Sequence, residues 1–255
     1  MRFKMLYGKK ETYSFWYKLY CMSLKGMNMD LHGDIYSSGE SKVCEFLKSL
    51  GGQNKVLFDV GTNKGNYTKM LKEYFPDARI HCFEPAQETF RILKESVGAD
   101  KNIRLNNVAL SDKSETATLY YDKDASGLAS LYNRQLDYFN IEFSKSETVK
   151  TETLDEYCER EHIEAIDFLK MDIEGNELKA LQGAEKLLKE GRIRAIQIEF
   201  GGCNIDSRTY FRDFWNLLHE NFEVYRILKN GLWKIEQYAE KMECFCNMNY
   251  LFVEK

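Results

Sequence analysis

Proline is nearly absent from this chain. Among 255 residues there are two, Pro76 and Pro85. No Gly/Ser-rich tract, low-complexity stretch or fixed-period repeat breaks the sequence either, so nothing marks an interdomain linker or a solenoid. A chain of this length can bury one substantial core. No run approaches the ~18 apolar residues of a membrane span. Arg2, Lys4, Lys9 and Lys10 interrupt the N-terminal apolar residues, which tells against a signal peptide. Excess positive charge is also missing: the net charge is −4 and the pI about 5.7. There is thus no bulk electrostatic footprint for nucleic acid, although a local basic patch stays open. The seven cysteines are scattered and include no C-x-x-C pair. Reduced thiols in a cytoplasmic protein fit that pattern best. Cys244-x-Cys246 is too isolated and too tightly spaced for a zinc site.

What is present begins with a change of texture. Residues 1–50 interleave Phe3, Tyr7, Tyr13, Phe15, Trp16, Tyr17 and Tyr20 with lysines. This predicts a helical extension, separate from a main domain over 51–255. Its aromatics could pack on that domain, serve a dimer interface, or form a lid for an extended polar or anionic substrate. They do not fall on one clean face, which disfavours a membrane-surface helix. Val43, Phe46, Leu47 and Leu50 have helical spacing, closed by Gly51-Gly52.

Strands and helices then alternate. Strands are expected at Val56–Val60, Arg79–Phe83, Ile103–Ala109, Ala117–Tyr121, Ile166–Met171 and Ile193–Phe200. Phe222–Leu228 and Tyr250–Val253 read as a closing antiparallel pair. Helical patterns fill the gaps, including one continuous helix over Asn176–Glu190. Residues 122–147 read as polar and irregular. The alternation argues for an α/β fold with a doubly wound, mostly parallel sheet and an antiparallel edge.

The first expected strand runs into Asp59-Val60-Gly61-Thr62-Asn63-Lys64-Gly65-Asn66-Tyr67, and Glu84 ends the second. Such a loop is expected to offer backbone N–H groups and a helix N-terminus to a nucleotide-like ligand. A dinucleotide fingerprint needs G-x-G-x-x-G. Here Asn63 replaces the middle glycine and Asn66 the last, so a pyrophosphate could not approach closely. This disfavours a dinucleotide oxidoreductase. S-adenosylmethionine, with an adenosine and no pyrophosphate, tolerates the change. Asp59 would brace the loop, Gly61 and Gly65 would let it turn, and Glu84 would hold the ribose.

A second block, Lys170-Met171-Asp172-Ile173-Glu174-Gly175-Asn176-Glu177, ends another buried strand in acids. Carboxylates at strand ends line the ligand crevice of an open α/β sheet and are costly there without a partner. The plainer reading is that Glu174 and Glu177 cap the following helix.

Together, D-V-G-T-N-K-G-N-Y at 59–67, F-E-P at 83–85, N-V-A-L-S-D at 107–112, T-L-D-E-Y at 153–157 and K-M-D-I-E-G-N-E-L-K-A-L at 170–181 resemble the FkbM family of S-adenosylmethionine-dependent methyltransferases. The resemblance runs from about residue 55 to 200. It implies a Rossmann-like class I methyltransferase fold with a seven-stranded sheet. It also implies O-methylation, commonly of sugar hydroxyls in glycans, or of natural products. Carried over by position, Asp59, Gly61, Thr62, Asn63, Gly65, Asn66 and Tyr67 would surround the methionine half of the cofactor. Glu84 and Pro85 would serve the ribose, and Val108 and Ala109, with Asp112, the adenine. Asp172 would lie near the methionine amine or the reacting centre. A sugar hydroxyl must lose its proton, so Asp172, Glu174 and Glu199 are candidate bases; equally, they could hold Mg²⁺ or another divalent ion. A lipid or peptide acceptor, or a non-catalytic cofactor-binding protein, remains an alternative. His81 reads as a packed core residue, His219 as surface, and His32 as part of a possible lid.

Overall fold

Val56–Val60 is buried along its whole length, as a central strand covered on both faces must be. Phe58 and Val60 enter one core cluster, with Tyr157, Leu181 and Phe214. Leu57 enters the other, with Met70, Leu71 and Leu93. The computed structural model describes residues 7–29, 35, 38–52 and 55–255. Phe3, Arg2, Lys4 and His32 lie outside the described residues.

The helices α1 (Tyr13–Gly26) and α2 (Glu40–Ser49) precede β1 (Val56–Val60). There follow α3 (Asn66–Tyr74), β2 (Arg79–Phe83), α4 (Gln87–Val97), β3 (Ile103–Asn106), β4 (Ala109–Leu110), β5 (Thr116–Tyr121) and β6 (Lys145–Glu152). Next come α5 (Leu154–Arg160), β7 (Phe168–Met171), α6 (Glu177–Gln182), α7 (Glu185–Lys189) and β8 (Ala195–Phe200). The chain closes with α8 (Cys203–Ser207), α9 (Phe211–Leu218), β9 (Phe222–Leu228), β10 (Gly231–Ile235) and β11 (Met248–Glu254). The main sheet has the order β10-β9-β11-β8-β7-β1-β2-β3. Strands β3, β2, β1, β7 and β8 are parallel, and β11 is antiparallel to both β8 and β9. This is the Rossmann-like class I methyltransferase architecture with an antiparallel edge. The chain winds outward from β1 through β2 to β3, then returns to β7 on the other side of β1. The switch point therefore opens a crevice at the carboxyl ends of β1 and β7.

Four expectations need correction. The main sheet has eight strands, not seven, because Gly231–Ile235 adds a hairpin arm to β9. A second sheet, β4-β6-β5, includes Lys145–Glu152, where the sequence is too polar to announce a strand. The strand expected over Ile103–Ala109 is split. At Asn107 the side chain donates to the carbonyls of Glu84 (2.8 Å) and Pro85 (2.9 Å), and the backbone beyond it joins β6 instead of β2. The helix expected over Asn176–Glu190 breaks between α6 and α7. Asp155 N donates to the Gly183 carbonyl, and the Asp155 carboxylate accepts from Lys186 N and Leu187 N, capping α7 afresh.

The two N-terminal helices behave differently. Val43, Cys44 and Leu47 of α2 are buried in the core. The aromatics of α1 stay largely exposed: none of its residues is buried, Phe15 is 62% exposed, and Tyr20 touches the domain at the Cys244 sulfur (4.0 Å). The helix is moored through the chain just after it. Arg226 donates to the Met27 carbonyl (3.2 Å), and Asn28 Nδ2 donates to the Ile227 carbonyl (3.2 Å). Among the described residues no helix is long and apolar enough to cross a membrane.

Candidate active site

At the switch point lies a partly open cavity. Its lining includes Gly61 and Asn63 from the turn after β1, Glu84 and Pro85 after β2, Val108 and Ala109 beside β4, and Asp172 and Glu174 after β7.

The turn after β1 is shaped by contact with β7. Gly61 has φ +79°, and a Cβ there would lie 1.8 Å from the Asp172 carbonyl oxygen. Only a residue without a side chain lets the two strand ends lie so close. The expected row of free backbone N–H groups is not found. Gly61 N and Thr62 N both donate to the Phe83 carbonyl, and Asn63 N donates to Glu84. What this turn offers a ligand is shape and the Glu84 carboxylate. Glu84 is 6% exposed, and its two oxygens accept from Asn63 N (3.0 Å) and Ala86 N (2.9 Å). Each oxygen keeps a second lone pair. Burial pushes its pKa up to about 7, although the two backbone bonds act the other way.

Not every expected cofactor residue reaches the cavity. Asp59 is fully buried behind it, accepting from Thr68 Oγ1 (2.6 Å). Thr62 Oγ1 donates to the Asp59 carbonyl (2.6 Å), and Gly65 begins α3 in a left-handed conformation. These three brace the loop. Tyr67 lies beneath the sheet and donates to Gln197 (2.9 Å). Asn66 is exposed on α3, and Asp112 accepts from Ser111 Oγ (3.0 Å); neither lines the cavity.

The turn after β7 carries the charge. Oxygens of Asp172, Glu174 and Glu199 lie within 4.8 Å of one another. They form the one group among the described residues with the spacing to hold a metal ion. Two cations face them. Lys170 approaches Asp172 (3.4 Å) and Asp59 (3.7 Å), and Arg134, itself almost fully buried, pairs with Glu174 and reaches Asp206 (3.4 Å). Burial works against the Lys170 charge, but Asp172, Asp59 and Glu40 outweigh it and raise its pKa. Burial and the neighbouring Asp172 raise Glu174 to about 8, against the pull of Arg134. Glu199 is raised well above the carboxylate range, first by burial and then by Asp172 and Glu174.

Glu174 sits at φ +52°, a costly backbone for a side-chain-bearing residue. The buried Glu177 carboxylate holds the turn by accepting from Ile173 N (2.8 Å) and Gly175 N (3.1 Å). Glu177 is thus a clamp on this turn, close to the capping role. His81 is packed in the interior as the sequence suggests: it is buried against the Tyr157 hydroxyl (2.7 Å), and burial pushes it down to about 4.

Three contributors escaped the sequence reading. Residues 126–131 cover the cavity, joined to the β1 turn by Asn63 Nδ2 donating to the Ser126 carbonyl (3.1 Å). Ser130 Oγ donates to the Glu174 carbonyl (2.7 Å). Arg134 follows in the same irregular segment, and Lys170 stands two residues before Asp172. Lys170 heads the K-M-D-I-E-G block and is a lysine inside an apolar strand, yet the sequence reading assigns it no role; Arg134 carries no signal.

The domain described as "Methyltransferase FkbM domain" matches residues 59–227. The chain is 27% identical over 157 residues to the 2-O-methyltransferase NoeI of Sinorhizobium fredii, covering 58% of this chain and 65% of that protein. It is 26% identical over 164 residues to the hexuronic acid methyltransferase AglP of Haloferax volcanii, covering 64% of each. The chain therefore spans just under two thirds of the length of these relatives. Among solved structures, the N-terminal domain of human METTL16 in complex with SAH superposes with a TM-score of 0.47 at 12% identity, covering 92% of this chain and 80% of that one.

Proposed function

The chain belongs to the FkbM methyltransferase family, and from that premise we propose that it transfers a methyl group from S-adenosylmethionine to a hydroxyl of a sugar or glycan. The cavity suits this cofactor. Glu84, with a free lone pair on each oxygen, would receive the two ribose hydroxyls. Pro85, Val108 and Ala109 offer an apolar slot for adenine, and Gly61, Asn63 and Asp172 would face the methionine half. When bound, the cofactor supplies an electrophilic methyl group on a sulfonium.

The acceptor side rests on Asp172 and Glu174. Both open into the cavity that Glu84 enters from its other flank, and that juxtaposition is the observation that carries the reading. A sugar hydroxyl is a weak nucleophile until a positioned base takes its proton. Glu174 is suited to this: burial has moved its pKa into the working range, and Arg134 fixes one of its oxygens. The other oxygen is left to receive the proton, with Asp172 sharing the charge. A base explains the cluster better than a divalent ion does. Lys170 and Arg134 already face Asp172 and Glu174, and a hard cation would have to compete with them for those oxygens. A sugar or sugar acid as acceptor is favoured by the two relatives named as a 2-O-methyltransferase and a hexuronic acid methyltransferase.

The test is incubation of the purified chain with S-adenosylmethionine and a panel of glycosides, uronic acids, lipids and peptides, read by mass spectrometry. A methylated sugar, together with cofactor binding by calorimetry, is the expected result. Methylation confined to the lipids or peptides overturns the acceptor class. Absence of cofactor binding overturns the whole reading.

A further inference from the structure

The least explained part of the molecule is α1. In the sequence its aromatics share no single face, the point against a membrane-surface helix; in the fold its side chains separate into stripes, and the outward one is apolar. Phe15, Leu19 and Met22 recur at i, i+4 and i+7, and all three are exposed. Tyr13, Tyr17 and Tyr20 form a second row, with Tyr13 stacked on Tyr17 at 6.3 Å. Tyr20 comes within 4.0 Å of the Cys244 sulfur, which turns that row toward the domain. The Phe15 row lies on the far side of the helix and points away from it. Between the rows run Ser14, Lys18 and Lys25, again exposed. Lys9 and Lys10 precede the helix. Over residues 7–29 there are four lysines and one glutamate, in a chain whose net charge is −4.

We propose that α1 is a peripheral membrane-docking helix that lays Phe15, Leu19 and Met22 into an anionic lipid surface, with Lys18 and Lys25 reaching the headgroups. Charge supports this occupant. A basic, aromatic-rich helix on an acidic molecule complements an anionic bilayer, and lysine stems can lie along the apolar boundary while their ammonium groups stay wet. Trp16, packed edge-on against Phe15 at 5.1 Å, adds an amphipathic ring of the kind that favours the headgroup zone. A second copy of the chain fits less well. Three side chains fall short of the roughly 800 Å² per partner that a stable dimer buries, and pairing two such helices would bring their lysine rows together. The mooring at Met27 and Asn28 lets the helix dock without disturbing the core.

The experiment is sedimentation of the full chain with vesicles of phosphatidylcholine, with and without phosphatidylglycerol, at low and high salt. The chain is expected to sediment with the anionic vesicles, less so at high salt. Replacing both lysines (Lys18→Gln with Lys25→Gln) should weaken partitioning roughly 30-fold, given the usual contribution of a lysine near an anionic surface. The triple variant Phe15→Ser, Leu19→Ser, Met22→Ser should abolish it. Both variants should melt like the wild type, since the altered side chains lie outside the core. Wild-type protein that stays in the supernatant with anionic vesicles overturns the proposal, as does unchanged partitioning of the triple variant. A dimer in sedimentation velocity that the triple variant dissolves assigns the face to a second copy, and also overturns it. None of these readouts involves methyl transfer, so the outcome is independent of the proposed activity.

Discussion

The turns that follow β1 and β7 leave neighbouring strands at the same edge of the sheet, yet they are built on opposite principles. The β1 turn satisfies itself. Its first amides are spent on Phe83 and Glu84, and its one decisive residue, Gly61, acts by having no side chain. The β7 turn stays unsettled. It crowds Asp172 and Glu174 against Glu199 and holds Glu174 in a strained conformation. A site that must recognise the same ligand in every cycle gains from a turn that is already paired. A site that must accept a proton needs groups whose charge is not settled.

The largest effect that would sharpen this contrast is on turnover. Glu174→Gln should lower kcat roughly 100- to 10,000-fold, the usual worth of a general base, while calorimetry finds cofactor affinity unchanged. The wild-type rate should rise with pH as the coupled carboxylates lose a proton, with a midpoint near the value of about 8 set by burial at Glu174. The variant's residual rate should lose that rise. If Glu174→Gln weakens cofactor binding as much as turnover, the division between the two turns fails.

Next comes stability. Gly61→Ala places a Cβ against the Asp172 carbonyl at a positive φ and should cost about 2–4 kcal/mol by chemical denaturation. A variant as stable as the wild type would mean that the two turns are not locked together.

The smallest effect concerns Glu84. Glu84→Gln should weaken S-adenosylmethionine binding roughly 10- to 100-fold by calorimetry, since a hydrogen bond to a charged group is lost and the new amide faces backbone N–H groups. Burial raises this carboxyl to about 7, so the folded chain binds its proton more tightly than the unfolded chain does. The stability linked to Glu84 is therefore greatest below the ordinary carboxylate pKa and is lost as pH climbs through about 7. The thermal midpoint of the ligand-free protein should fall over that interval, and less steeply in Glu84→Gln.

Much of this was legible in the sequence because it follows from local pattern. The buried strands β1, β2, β7 and β8 are apolar runs bounded by turn residues, and topology alone places the residues that follow β1, β2 and β7 at the crevice. The rest depends on partners distant in the chain. Lys145–Glu152 looks polar because its sheet is mostly exposed, with Val149 and Thr151 turned inward. The break before α7 comes from Asp155 in α5, with β7 and α6 between them in the chain. Arg134 sits in an irregular segment, and only the folded chain shows that its side chain reaches Glu174. The aromatics of α1 are ambiguous in the sequence among packing, a dimer interface and a lid; in the fold they are largely exposed, with Tyr20 touching Cys244.

The absence of clearance between Gly61 and the Asp172 carbonyl has a practical consequence for redesign. Two segments far apart in the chain behave as one machined part, so neither turn can be grafted into another scaffold without the other. Selectivity for a new acceptor is better sought in the covering segment around residues 126–134, which meets that part through a few hydrogen bonds and one ion pair and can be exchanged without recutting it.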